Sequence, residues 1–398
     1  MTASSRQASG AAVDPPATRV PVPSLAVPLP ADRAVRLALS CVIEGGEPAV
    51  AEVTAISGAA VAWQQVTDGR FGEGLAERAA QLDLDRVLAR AERSRARFVV
   101  PGDEEWPDRL GDLRYCDEVQ RRGGVPFGLW LRGPGHLAQL AERSVALVGS
   151  RTATPYGTTI ATDLGAELAE AGFTTVSGGA YGIDTAAHQG ALAAAGPTIA
   201  VVANGVDVAY PQGNRKLFDW VADHGLIVSE LAPGTHPSRM RFLARNRLIA
   251  GVSIGTVVVE AALRSGARNT ASWALGCGRV LMAVPGSVES AMSAAPHLMI
   301  RNGQAVLVSN TAEILELVSE SGQATLPIPH GPVRETDALD PVRLSVYEAV
   351  PARRRVGAGE IALAAGVSVP TALAQLSALE DVGLVISDDE GWRAVVPR

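Results

Sequence analysis

The chain has 398 residues, 47% hydrophobic and 19% charged, with a formal net charge of −7. That length allows two or three domains with a substantial core. With no run near the ~20 apolar residues of a membrane span and no basic-then-apolar leader, the expectation is a cytoplasmic protein without membrane association. Cys41, Cys116 and Cys277 are odd in number and far apart in sequence. They argue against a disulfide framework or metal cluster and read as reduced core residues. No metal or cofactor is expected.

The negative total hides an uneven distribution. Between residues 236 and 301 eight arginines stand against Glu260 and Glu289, a local balance of +6, which leaves −13 on the rest. Location matters more than the sum for an anionic partner. Only one of the 35 basic residues, Lys216, is lysine, so the choice of arginine carries no functional information by itself.

Residues 1–30 are rich in Ala, Pro, Ser, Thr and Val without periodicity and read as a disordered tail. From 31 to 95, Ala, Leu and Val recur at helical spacing, broken at Gly45-Gly46, Ser57-Gly58 and Gly69, as in a small SAM/helix-hairpin-helix-like domain. Its glycine hairpins lack a basic flank, so packing or protein contact outweighs nucleic-acid binding there. Residues 96–318 read as an extended Rossmann-like domain. Strands expected at 145–148, 174–177, 198–203, 226–229, 256–260, 280–284 and 305–308 alternate with helices. That is the pattern of a doubly wound, mostly parallel α/β sheet. Thr154-Pro155 supplies a helix cap and first-turn proline, while Gly172, Gly196 and Gly225 stand where helices stop. Residues 319–340 read as a linker. Residues 341–398 give helices at 341–349, 359–365 and 370–381, then strands at 384–386 and 392–396, in winged-helix-like order.

Two glycine turns carry the chemistry. Gly149-Ser150-Arg151 and Ser177-Gly178-Gly179-Ala180-Tyr181-Gly182-Ile183-Asp184 each follow an apolar strand and open a helix. Unpaired helix N-terminal N–H groups on one sheet edge hold phosphate without any catalytic group. Neither turn is a Walker A loop, which requires Gly-Lys-Ser/Thr. Three clusters join them. Asn214 is expected to cap the helix that carries Arg215 and Lys216 in its first turn, where basic residues favour a bound anion. Arg239, Arg241, Arg245 and Arg247 fall within nine residues without an acid. Arg241 and Arg245 share a helical face, and either phosphate or a structural ion-pair network neutralises the run. Glu260 follows an apolar strand and is expected to orient Arg245 or Arg247, ahead of Ser265-Gly266 and Asn269-Thr270 opening the next helix.

In combination these segments resemble the DNA-processing protein A family (DprA, or Smf), bacterial single-strand DNA binders that load a recombinase. The resemblance spans about 106 to 308. It rests on VGSR at 148–151, SGGAYGID at 177–184, AYPQGN at 209–214, RNRLIAG at 245–251, VVVEA at 257–261, SGARNTA at 265–271 and AVPG at 283–286. Leu243 and His297 depart from the family's usual proline and asparagine. The resemblance implies a single-stranded DNA binder without catalysis, a homodimer, and a RecA-type recombinase as partner. Residue reading and resemblance together give a phosphate-binding set of Gly149, Ser150, Arg151, Ser177, Gly178, Gly179, Tyr181, Gly182, Asn214, Lys216, Arg241, Arg245, Asn246, Arg247 and Thr270. Asp184 and Glu260 support it. The competing reading is a nucleotide-binding enzyme of the phosphoribohydrolase type on a similar scaffold, using Asp184, His188 and Glu260. A plain nucleotide sensor is a third.

Overall fold

The computed structural model describes residues 29–319 and 335–395. The expected tail, most of the linker and the last residue of the final strand lie outside the described residues. The chain divides into two units, 1–325 and 326–398.

The first unit opens with five helices, α1 (Ala31–Val42), α2 (Pro48–Ser57), α3 (Ala59–Thr67), α4 (Glu73–Ala80) and α5 (Leu84–Arg93). Strands β1 (Ala96–Val99) and β2 (Leu129–Arg132) flank a 3-10 segment, Asp108–Tyr115, and α6 (Leu137–Glu142) follows. The alternating core then runs β3 (Ser144–Val148), α7 (Pro155–Glu170), β4 (Thr174–Ser177), α8 (Ile183–Ala193), β5 (Thr198–Val201), α9 (Arg215–His224) and β6 (Leu226–Ser229). It continues through α10 (Arg239–Val252), β7 (Gly255–Val258), α11 (Gly266–Gly276), β8 (Val280–Ala283), α12 (Ala294–Arg301), β9 (Val306–Leu307) and α13 (Thr311–Val318).

One nine-stranded sheet results, in the order β1-β2-β6-β5-β4-β3-β7-β8-β9. From β6 to β9 the neighbours are parallel, while β1 and β2 extend the β6 edge antiparallel. Every residue of β3, β4, β5, β6 and β7 is buried, as continuous apolar runs require when helices cover both faces. Alternate residues divide between the two faces. Ala146, Val148, Ile199 and Val258 meet Leu248, Ile249 and Trp273 of α10 and α11 on one face. Val145, Leu147, Val257 and Met282 meet Ala161, Leu164 and Ala187 of α7 and α8 on the other. The strand order reverses at β3: one half winds outward to β6 and the other to β9. Crevices at the carboxyl ends of strands form at such a switch point.

The segment expected as a separate helical domain is helical, but its core is continuous with the sheet. Leu37, Trp63 and Val66 cluster with Trp130, Ala200, Phe218 and Ile227. Five short helices bury too little area alone, and the sheet supplies the missing surface. The expected start of α7 and stop of α9 hold. Thr154 Oγ1 accepts the Gly157 N–H at 3.2 Å with Pro155 next to the cap, and Gly225 ends α9. Cys116 and Cys277, 161 positions apart in sequence, are neighbours in space with sulfurs 3.0 Å apart. Both thiols are free, and burial raises that of Cys277.

The second unit has the expected order: α14 (Pro341–Glu348), α15 (Ala358–Ala365), α16 (Val369–Asp381), β10 (Val385–Asp388) and β11 (Gly391–Ala394). Val346, Ile361, Leu376, Leu379 and Val385 form its core. Gly366 in the left-handed region ends α15, and the Ser368 side chain caps α16. Helix α16 carries no basic residue, and Arg354 and Arg355 pair with Glu360 and Asp388. Among the described residues of the whole chain, no single helix is long and apolar enough to cross a membrane.

His188 lies fully buried between α8 and β5, its Nδ1 2.7 Å from Thr198 Oγ1. That hydroxyl donates to the Thr175 carbonyl, so it must accept from His188, which fixes a neutral Nδ1–H tautomer. Burial, assisted by Arg245, pushes the imidazole down to about 3. The unfolded chain binds a proton near pH 6.5 that the folded one refuses, so stability falls as pH drops through that window. Between pH 7 and 5 this group removes about 2 kcal/mol. Urea unfolding at both pH values checks it: His188→Gln should show a smaller acid loss than the parent, and equal losses would contradict the assignment.

Candidate functional site

At the switch point the loops after β3, β4 and β7 are bound together through one residue. The Ser150 N–H donates to the Glu260 carbonyl at 2.6 Å, and the Ser150 carbonyl accepts the Ile183 N–H at 3.1 Å. Gly182 makes this approach feasible: its φ is +76°, and a Cβ there would stand 2.3 Å from the Ser150 carbonyl oxygen. Asp184, in the first turn of α8, accepts from the N–H groups of Gly178 at 3.2 Å and Ala180 at 3.3 Å. Its carboxyl is raised by burial, with Arg245 opposing. Asp184 therefore shapes the glycine loop rather than occupying it.

A cleft of about 1200 Å³ opens beside these loops. Gly149, Ser150 and Arg151 line it, as do Asp184, Arg245, Asn246 and Thr270. Arg239, Arg264 and Arg268 complete a set of five arginines against the single acid Asp184. The N-terminus of α11 also opens there: among the described residues Ser265 makes no capping hydrogen bond, and its buried hydroxyl has no partner. Lone N–H groups at a helix start and unbalanced guanidinium groups both favour an anion.

The arginines differ in availability. Arg151 is exposed, with its guanidinium 4.7 Å from the Phe242 ring centroid and no ion pair among the described residues. Arg239, Arg264 and Arg268 are also exposed, and Arg268 donates to the Leu263 carbonyl at 2.8 Å. Arg245 is buried and donates through Nη1 to the carbonyls of Gly178 and Val201. Burial lowers it to about 10, with Asp184 opposing and Arg151 adding to the fall, so it remains a cation at neutral pH. A Cβ on Gly178 would lie 2.3 Å from this guanidinium, so the glycine is required for contact.

Several expected ligands lie elsewhere. Arg247 is fully buried and pairs with Glu230 at 2.5 Å, outside the cleft. Arg241 pairs with Glu44 through two bonds of 2.7 and 2.8 Å, holding that carboxyl below the usual range. The structural-network reading therefore describes these two arginines. Ser177, Gly178, Gly179 and Gly182 stand behind the cleft as its framework, and Tyr181 and Lys216 are exposed outside its lining. Asn214 does not cap α9; its amide donates to the Gly179 carbonyl at 3.0 Å and Thr185 Oγ1 at 2.8 Å, tying that segment to the glycine loop. Glu260 orients neither Arg245 nor Arg247. Its carboxylate accepts from the Thr154 N–H at 2.9 Å and hydroxyl at 2.6 Å, because it sits over the positive end of α7. Asp184, His188 and Glu260 do not converge, since His188 is closed inside the core and Glu260 is committed to Thr154. Arg264 and Arg268 were not singled out in the sequence, although they contribute to its basic segment, and Arg239 was read there only as part of the four-arginine cluster.

A doubly wound α/β protein with an arginine-lined cleft at its switch point agrees with what sequence comparison finds. Residues 97–319 match the family model for DNA recombination-mediator protein A. A Mycobacterium tuberculosis protein, provisionally described as DNA processing protein DprA, is 42% identical over 357 residues, covering 87% of this chain and 91% of its own. Protein Smf of Escherichia coli K12 is 35% identical over 306 residues, 75% of each chain. The crystal structure of DNA processing protein A from Streptococcus pneumoniae matches with a TM-score of 0.59 and 29% identity, over 73% of this chain and 98% of its own. The chain belongs to the DNA recombination-mediator protein A family.

The two classes of arginine should separate in stability. Arg247→Ala leaves Glu230 buried and unpaired, and should lower unfolding free energy by about 3–5 kcal/mol. Arg151→Ala, at an exposed side chain, should change it by no more than about 0.5 kcal/mol. Urea titrations of both variants check this; comparable losses would contradict the division.

Proposed function

We propose that the protein binds single-stranded DNA through its phosphates in the switch-point cleft, and that as a homodimer it delivers the strand to a RecA-type recombinase. The observation that carries the DNA reading is the five arginines around one cleft with Asp184 as the only acid. A concave site at loop level suits a flexible backbone, whereas groove reading requires a projecting helix or ribbon. The lack of any basic residue on α16 supports the same choice. Delivery to a recombinase and dimerisation draw on the family resemblance and on a family description that denotes recombination mediation. The action is binding and transfer without a catalysed step, in the cytoplasm. A dimer places two clefts on one strand and raises affinity through effective concentration, and twofold assemblies are the commonest closed form.

Anisotropy titration with a 20-nucleotide oligothymidine and the corresponding duplex tests the reading. The single strand should bind far better. Its affinity should fall with salt at a log–log slope of about −3 if four or five phosphates are neutralised. Arg151→Glu with Arg268→Glu should abolish binding while circular dichroism stays unchanged, and Arg353→Ala should have little effect. Equal duplex affinity or a flat salt response would refute the proposal.

Light scattering should give a dimer at micromolar concentration. The protein should also accelerate recombinase assembly on strands already covered by a single-strand-binding protein. A monomer without effect in that assay would leave DNA binding alone standing.

A further inference from the structure

Outside the cleft, the fold brings together two thiols that lie 161 positions apart in sequence. Cys116 follows the 3-10 segment Asp108–Tyr115 and Cys277 follows α11, with their sulfurs 3.0 Å apart. That is about 1 Å more than the ~2.05 Å of a disulfide bond, a gap that small side-chain rotations close. Cys116 is half-buried and Cys277 buried, and neither lines the cleft. The Cys116 thiol donates to the Asp112 carbonyl at 3.4 Å. Burial raises the Cys277 thiol, with Arg279 opposing, and the Nε of Arg279 is buried without a hydrogen-bond partner among the described residues. A guanidinium with a free donor beside a thiol pair favours thiolate, the form that reacts. Cys116 also stands at the foot of a strained turn. Three residues on, Val119 and Arg122 bridge across Gln120 and Arg121, two non-glycine residues at φ +53° and +61°. Such a turn persists only where its surroundings hold it, and Gln120 lines the cleft.

We propose that Cys116 and Cys277 are a redox pair that closes to an intramolecular disulfide under hydrogen peroxide, stapling the foot of the 119–122 turn to the end of α11. The pair acts independently of whatever the cleft binds. Cys116, the more exposed sulfur, attacks one peroxide oxygen as a thiolate; the O–O bond breaks, the other oxygen leaves as water, and Cys116 becomes a sulfenic acid. Cys277 then attacks that sulfur and expels its hydroxyl as a second water. Two thiols and one peroxide thus give one disulfide and two waters, the sulfurs losing the two electrons that the peroxide gains. A thiol reductant reverses the bond by exchange. Cys41 takes no part: burial pushes its thiol up to about 12, and its sulfur neighbours the Ser40 hydroxyl.

Hydrogen peroxide in modest excess, quenched with catalase, tests the pair on the whole chain. The thiols titrated in denaturant should fall from three to one. The mass should drop by two hydrogens, with tryptic peptides 115–121 and 269–279 joined. Because the bond closes a long loop, the thermal midpoint should rise by about 5 °C and return on adding dithiothreitol. Exchange of the Val119 and Arg122 amides should slow in the oxidised protein. Cys277→Ser should trap the Cys116 sulfenic acid, read out with dimedone, whereas Cys116→Ser should keep both remaining thiols. Three thiols after peroxide, or peptides joined only between molecules, overturn the pair. An unchanged midpoint with unchanged amide exchange overturns the staple. A sulfenic acid in Cys116→Ser with none in Cys277→Ser overturns the assignment of Cys116 as the attacking sulfur.

Discussion

The backbone of Ser150 is the constraint on which the cleft depends. Through one N–H and one carbonyl it joins the turn after β3 to the loop after β7 and to the start of α8. Those loops leave the sheet on either side of the point where strand order reverses, and nothing else in a doubly wound topology obliges them to meet. Each bond is ordinary in strength, on the order of 1 kcal/mol net. Their effect is geometric: they fix the relative positions of Arg151, Asp184 and the residues that lead into α11. Gly182 permits the approach, and Glu260, bound to Thr154, holds the far side of the same junction.

Around that junction, charge is sorted by what the backbone can offer. Arg245 is buried, yet its guanidinium donates to the carbonyls of Gly178 in the glycine loop and Val201 at the end of β5, and Asp184 lies close enough to favour its charged form. It binds the glycine loop to α10 and adds positive potential from behind the cleft wall. Arg151 receives no comparable satisfaction. It is oriented by the face of Phe242, an attraction of roughly 0.5–1 kcal/mol at an exposed site, which leaves its N–H groups available. An unpaired cation held in place loses less entropy on binding a phosphate than a free one does.

Much of the fold was legible because its signals are local. Short apolar runs ended by glycine give buried parallel strands, and Thr154-Pro155 and Gly225 mark helix ends by their own chemistry. The glycine turns were legible as tight strand-to-helix turns at one sheet edge for the same reason. What failed was partner assignment across long sequence distances. Glu44 lies 197 positions from Arg241 and Glu230 lies 17 from Arg247, and no periodicity links either pair. Asn214 carried a capping signature, but an amide also reaches carbonyls laterally, and the Gly179 carbonyl competed successfully. The continuity of α1 to α5 with the sheet was equally hidden, since apolar spacing shows that a helix buries a face and not what covers it.

The four arginines of α10 show why local charge density is a poor measure of binding capacity. The run reads as one basic patch, yet Arg241 and Arg247 are neutralised by carboxylates, and Arg245 is largely engaged by backbone oxygens. Only Arg239 of the four is exposed at the cleft. The remaining exposed arginines of the cleft are Arg151 and Arg264, in the turns after β3 and β7, and Arg268, in the first turn of α11. Charge that holds a helix in place cannot also be given to a ligand without leaving a buried acid behind. A basic segment therefore serves the fold first, and the site is built from the residues its acids do not reach.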